Sequence, residues 1–388
     1  MRRAAQLANR LPPSVRRLLK RFPGTAAAKD SLAGYPKLEP PRAGGLRPVV
    51  YLPTWARWDE MRQRPQFIVD AFAERGHDAY FVDPREERIR TVGRVTIVPT
   101  LEETPRSEVI LYVHFAPLVS LFDRYDDAVV VYDILDDLTI YDEDEVGMPE
   151  HRRVRFHHPL VMDRADVVMA SAPALIDEHR SERSDILYVE NGVDPTAFGG
   201  PLPAPADLPE VGGSVVGYHG MIARWFDFDL VGAVADELSE VAFLLVGPVD
   251  PSVRGRLDDL EARSNVHYLG PRLSNEIAAY VQSFDVGIVP FVVDDLTRAV
   301  SPLKMYEYMA AGVPVVATPL PVCETHPLVA TTDHPRNFVR LVVEALDRSR
   351  DAAFVDSLRQ AAHEASWSNR IAPVIARLDE REQLRVPS

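Results

Sequence analysis

From Val49 onward, short continuous apolar runs alternate with segments whose apolar residues recur every three or four positions. The runs Val49–Leu52, Asp78–Val82, Glu108–His114, Ala128–Tyr132, Asp166–Ser171 and Ile186–Val189 are too short for buried helices and read as strands. So do Val215–His219, Ala242–Val246, Val266–Leu269 and Val286–Pro290. Between them, Pro65–Arg75 (stopped by Gly76), residues 150–164, Ala174–Arg183, Asp229–Leu238 and Asn275–Ser283 carry the helical period. Terminal helices are expected over 336–349 and 351–385. Strands that are apolar on both faces and alternate with helices predict parallel, doubly wound sheets, an α/β fold.

Two stretches rich in Pro and Gly, residues 36–48 and 199–213, divide this alternation. They predict a leader and linker over 1–47, a Rossmann-like domain over 48–198 and a second over 199–368. A last helix, 369–388, is expected to return to the first domain. Two such domains would face each other across a cleft at the carboxyl ends of their strands, where ligands bind in this fold class.

Charge and cysteine narrow the setting. The chain has 388 residues and a formal net charge of −15, which argues against a nucleic-acid binder. Residues 1–29 nevertheless hold eight Lys/Arg and no acid, leaving the remainder at −23. Within this leader Val15, Leu18, Leu19 and Phe22 fall on one helical face among Arg16, Arg17, Lys20 and Arg21. That pattern suits either an anionic membrane surface or a basic tail without structure. The leader has no apolar core of the kind a signal peptide needs, and no run approaches the ~18 apolar residues of a membrane span. Cys323 is the only cysteine, which excludes an intrachain disulfide and a cysteine-based metal site and fits a cytoplasmic setting.

The segment Ser301–Pro319, SPLKMYEYMAAGVPVVATP, carries the sharpest chemistry. Ser301 suits an N-cap, Pro302 the first helical position and Gly312 the stop, predicting a helix of about ten residues. Lys304 then lies in the first turn, where the helix dipole disfavours a cation by roughly 0.3–1 kcal/mol unless an anion joins it. Free amide groups, the dipole and a lysine together suit a phosphate, and Glu307 one turn deeper suits a pair of hydroxyls. The plainer alternative is a lysine reaching solvent and pairing with Glu307.

Several motifs in order then resemble one family. Residues 165–198 read ADVVMASAPALIDEHRSERSDILYVENGVDPTAF, followed by GYHG at 217–220, NVHYLG at 265–270, FDVGIVPF at 284–291, the helix above, and Trp367 in ASWSNRIAPVIARL. This succession, spanning nearly all of residues 48–385, resembles GT-B glycosyltransferases of the family-four type (glycosyl transferases group 1). The segments RPQFIVDAFAERGH, YDILDD and GMIARWFDFDL resemble, more narrowly, bacterial surface-polysaccharide transferases of the teichuronic-acid type.

The resemblance implies a GT-B fold with a nucleoside-diphosphate-sugar donor held by the second domain and a glycan or lipid-linked acceptor beside the first. No cofactor and no metal ion is expected, the donor being a co-substrate. It places Gly220, Ser301, Leu303 and Lys304 at the donor diphosphate and Glu307 at the ribose. Two positions depart from the family pattern. Ala299 replaces the first glutamate of the usual pair, and Met221 replaces the arginine after the glycine loop, leaving Arg224 as the nearest cation for the diphosphate. In the first domain, Asp133 at a strand end is the expected catalytic group, a base for the acceptor hydroxyl or a stabiliser of positive charge. Trp55, Trp58, Arg64 and His114 are the expected acceptor-side residues. The expected activity is therefore metal-independent transfer of a hexose-type sugar in cell-surface polysaccharide biosynthesis, in the cytoplasm or on the inner face of the plasma membrane. The alternatives are an inactive GT-B scaffold, favoured by Ala299 and Met221, and a phosphate-using GT-B enzyme.

Overall fold

The computed structural model describes residues 45–54, 56–59, 62–137 and 152–385. The leader (1–29) and Trp55 lie outside them. The first sheet contains β1 (Val49–Tyr51), β2 (Ala79–Val82), β3 (Arg90–Val92), β4 (Val95–Val98), β5 (Ile110–Val113), β6 (Val129–Ile134), β7 (Val167–Ala170) and β8 (Leu187–Tyr188). Its order is β3-β4-β2-β1-β5-β6-β7-β8, parallel throughout except for the β3–β4 hairpin. The second sheet contains β9 (Val215–His219), β10 (Ala242–Val246), β11 (Val266–Gly270), β12 (Val286–Val289), β13 (Val315–Ala317) and β14 (Val329–Thr331), in the parallel order β11-β10-β9-β12-β13-β14. In each sheet the order reverses direction beside the first strand, which is the doubly wound pattern.

The helices that position the site are α1 (Arg64–Glu74), α2 (Arg152–Arg164), α3 (Pro173–His179), α4 (Phe228–Glu237), α5 (Leu303–Ala311), α6 (Ala352–Glu364) and α7 (Ala372–Arg385). α1 buries Ile68, Val69, Ala71 and Phe72 against β1 and β2, and ends where Gly76 adopts φ 97°. The strand pattern missed β3, β4 and β14: β3 and β14 carry no buried side chain, and β4 alternates too briefly to stand out. The expected single helix over 351–385 breaks at Ala365–Ser366, where Ser366 caps a new turn by accepting from the Asn369 amide.

The chain crosses between the domains twice, and the crossings lie side by side. Val193 and Ser366 form a parallel bridge, with Val193 N–H donating to Ala365 O at 3.1 Å and Trp367 N–H to Val193 O at 3.2 Å. The return to the first domain begins with Trp367, whose ring stacks on Phe67 at 5.2 Å. Ile371, Val374 and Leu378 continue it into the core around β1 and β7. Arg381 pairs with Asp166, and Arg47 with Glu382 at 2.7 Å, fixing α7 on this domain.

Candidate functional site

At the carboxyl edge of the second sheet, β9 ends in His219 and is followed by Gly220, and β10 ends in Val246 and is followed by Gly247. Gly247 has φ 143°, and a Cβ there would come within 2.1 Å of Gly220 O. Only glycine therefore lets these two strand ends touch. Gly220, at φ 120°, in turn lies against Lys304: a Cβ on it would be 3.1 Å from Lys304 Cε and 3.4 Å from Nζ. α5 thus presents its first turn to the glycine loop, as the sequence predicts. The start of the helix differs in detail. Pro302, not Ser301, is the N-cap, in an extended conformation and without a side-chain cap. Ser301 is diverted by a tertiary partner, its Oγ accepting from the Asn191 amide at 3.3 Å. The stop is as expected, with Gly312 left-handed at φ 79°.

Lys304 is half-buried, its Nζ 4.6 Å from the centre of the Phe291 ring and 5.2 Å from that of Tyr218. Burial pushes its ammonium down to about 8, against the pull of Glu307. Among the described residues it forms no carboxylate salt bridge, so the plainer pairing with Glu307 is not made. Glu307 instead places Oε2 3.0 Å from His219 Nε2, without the alignment of a hydrogen bond. His219 is buried, and its own amide donates to the Tyr308 hydroxyl at 3.1 Å. A desolvated cation, free first-turn amides and a carboxylate–histidine pair thus share one edge, a layout that suits an anion followed by hydroxyls. Leu303 is half-buried and packs toward the first domain. Arg224 stands exposed on the loop after Gly220.

The carboxyl edge of the first sheet departs from expectation. β6 runs on to Ile134, so Asp133 lies inside the strand with 0% exposure. Arg64 grips it with two hydrogen bonds, at 2.8 and 3.0 Å, and the Tyr112 hydroxyl donates to it at 2.6 Å. With both oxygens taken and no path to solvent, Asp133 cannot receive an acceptor proton in this arrangement. It orients Arg64. Arg64, itself 4% exposed, is equally unavailable to an acceptor. Trp58 is a core residue, edge-on to Phe81 at 5.2 Å with Arg62 over its other side. His114 is buried, stacked on Tyr51 and hydrogen-bonded through Nδ1 to its hydroxyl at 3.1 Å. Burial holds its imidazole down to about 3, hence neutral. All three acceptor-side expectations within the described residues therefore become packing residues. Three positions past Asp133, half-buried Asp136 has its carboxyl pushed up to about 6, by burial first and then by Asp133.

A continuous network joins the two edges. Arg64 donates to Asn191 Oδ1 at 3.1 Å, and Asn191 Nδ2 donates to Ser301 O at 2.6 Å, immediately before α5. Beside it, Glu190 accepts from the Tyr306 hydroxyl at 2.5 Å and pairs with Arg370 at 3.1 Å. Ala299, where a family glutamate would stand, is 4% exposed and packs in the first domain's apolar cluster. Sequence reasoning missed His219, Asn191, Glu190 and Arg370 as parts of this junction. All four lay in motifs already singled out (GYHG, ENGVD and ASWSNR), so their polar side chains were the available signal.

Two doubly wound domains with opposed carboxyl edges, closed by helices that return to the first, define the GT-B fold. Residues 214–348, within the second domain, match the family described as glycosyl transferases group 1. Over 219 residues, 54% of this chain, it is 30% identical to a protein of Bacillus subtilis (strain 168) described as "Putative teichuronic acid biosynthesis glycosyltransferase TuaH". The match spans about half of that relative, 55% of its length. Among solved structures, sucrose-phosphate synthase (tll1590) from Thermosynechococcus elongatus superposes with a TM-score of 0.64 at 14% identity, covering 88% of this chain and 100% of that one. Anabaena Alr3699/HepE, solved in complex with UDP and glucose, gives 0.57 at 15% identity, covering 85% and 99%. These likenesses bear on the fold.

Proposed function

We propose that the protein is a glycosyltransferase moving a sugar from a nucleoside-diphosphate donor to a glycan or lipid-linked acceptor in cell-surface polysaccharide biosynthesis. The observation that carries this reading is Lys304: an ammonium held on two aromatic rings against Gly220, at a helix N-terminus and, among the described residues, in no carboxylate salt bridge. Such a group gains most when an anion arrives, because the anion restores what burial removed. The diphosphate would lie across Gly220, Lys304 and the first amides of α5, with Arg224 closing over it from the loop. Glu307, released from or steered by His219, would take the ribose hydroxyls. As the leaving diphosphate gains charge, the same cation and helix end would stabilise it in place of a metal ion. Asp136, half-buried just beyond the end of β6 at the carboxyl edge of the first sheet, is a carboxylate that would accept the acceptor proton, and burial raises its pKa toward that role.

The match to TuaH supports the polysaccharide setting, and the UDP complex of HepE supports a nucleotide ligand. No described helix is long and apolar enough to cross a membrane. For a lipid-linked acceptor, the basic leader would bring the enzyme to an anionic membrane on the cytoplasmic face. Calorimetric titration with UDP-, GDP- and dTDP-sugars tests the central reading. One donor should bind, with slow hydrolysis by the unsubstituted protein. Absence of binding by every nucleotide sugar would leave only a scaffold. Co-sedimentation with anionic but not neutral vesicles, lost on removal of residues 1–29, tests the membrane extension.

A further inference from the structure

The first domain holds a second polar cluster, on the opposite face of its sheet from Asp133. Side chains alternate along β6: Asp133 points toward α1, and Tyr132 toward α2. There His158 of α2 and His179 at the end of α3 bring their rings to 4.4 Å, both only 3% exposed. The turn after α3 folds back, the amides of Glu182 and Arg183 both donating to His179 O at 3.0 Å. This sets Glu182 against the two imidazoles, its Oε2 3.7 Å from His158 Nε2 and its Oε1 3.5 Å from His179 Nδ1. Arg183 anchors the turn through the carbonyls of Met162 and Ala165 at the end of α2.

Two features need an explanation. Among the described residues, the Nε2 atoms of both His158 and His179 are buried without a hydrogen-bond partner. Such atoms are uncommon in folded proteins, and each one asks for a missing ligand. The Tyr132 hydroxyl also lies 2.9 Å from His158 Nδ1, an arrangement that fixes the ring and leaves Nε2 turned into the cluster. A partner group on the far nitrogen is the usual support of a metal-ligating histidine.

We propose that His158, His179 and Glu182 form a binding site for a divalent transition metal ion of the zinc type. One ligand atom from each residue lies within 4.8 Å of the others. Zinc–nitrogen and zinc–oxygen bonds of about 2.0–2.2 Å place tetrahedral neighbours roughly 3.4 Å apart, so small side-chain rotations close the set. Two imidazoles and one carboxylate match borderline ions such as Zn²⁺ and Co²⁺ better than Ca²⁺ or Mg²⁺. Glu182 is exposed, so the fourth position faces solvent and takes water. The ion would staple α2 to α3 and stands apart from the donor edge, so this proposal holds whether or not the sugar-transfer reading does.

The test uses the full chain, stripped with chelator and dialysed. Zn²⁺ should bind at one equivalent in calorimetry and raise the unfolding temperature, and Co²⁺ should give a visible absorption band. Glu182→Gln, at an exposed position, should fold normally and weaken Zn²⁺ by roughly tenfold or more, and His179→Gln should abolish the Co²⁺ band. Unchanged circular dichroism and nucleotide titration would show that the variants are folded. Absence of Zn²⁺ binding to the stripped wild-type chain would overturn the proposal. So would binding retained undiminished in both variants.

Discussion

The carboxyl edges of the two sheets are built from similar residues and reach opposite electrostatic states. In the first domain Asp133, Arg64 and Tyr112 satisfy one another completely, and His114 is neutral and stacked. In the second domain Lys304 is desolvated without a carboxylate salt bridge among the described residues, and His219 meets Glu307 without a proper hydrogen bond. The first edge is finished and stiff, whereas the second is held in a state that an anion would complete. On the proposed reading this contrast is what a donor site requires: a site retains unfulfilled charge where binding supplies the complement.

Removing one partner from each edge should separate the two states. Arg64→Ala strands a buried carboxylate and should lower stability by about 3–5 kcal/mol in denaturant unfolding. A loss under 1 kcal/mol would show that the first edge is not a closed network. Lys304→Met should behave in the opposite way. Donor affinity should fall by roughly 30- to 100-fold in calorimetry, consistent with about 2–3 kcal/mol for a charged contact. The free protein should melt at the same temperature or a few degrees higher, because a buried cation has gone. A lower melting temperature would mean that Lys304 is structural.

Asn191→Ala cuts the link between the edges and should cost about 1–2 kcal/mol. Its diagnostic is a several-fold weaker donor affinity although Asn191 precedes the donor domain in sequence; unchanged affinity would uncouple the network from α5. The smallest effect concerns pH. Lys304 titrates near 8 when folded and near its ordinary 10.5 when unfolded. Between those values the unfolded chain binds more protons, so the free protein should gain stability as pH rises from 8 to 10. Donor affinity should fall over the same range as the ammonium is lost. Titrations at pH 7 and 9.5 that give equal affinities would argue against a role for that charge.

Much of this contrast was readable in the chain. Gly312 ends α5 because only a left-handed residue fits there, and the strand runs are continuous because both sheet faces are covered. The first turn of α5 and its lysine were local features and emerged intact. What failed were the judgements about which polar and aromatic side chains stay exposed. Ser301 has the chemistry of a cap, but Asn191, 110 residues away, captured it. Trp58 and Arg64 looked like ligand-facing residues in a loop, yet Phe81 and Asp133 occupy them. Asp133 was placed at a strand end when β6 continues past it, and one residue decides whether a carboxylate meets solvent or core. His158 and His179 are 21 positions apart on different helices, a separation at which nothing local hints at their meeting.

The paired crossings at Val193 and Ser366 govern how the cleft can open. A single linker would let the domains swivel freely, but two strands held by reciprocal amide bonds resist torsion. Bending about the line through those residues is the motion that this pairing itself does not oppose. Along that axis the glycine loop of the second domain would swing toward and away from β6 as a jaw, and the Asn191–Ser301 contact, close to the fulcrum, would survive the stroke.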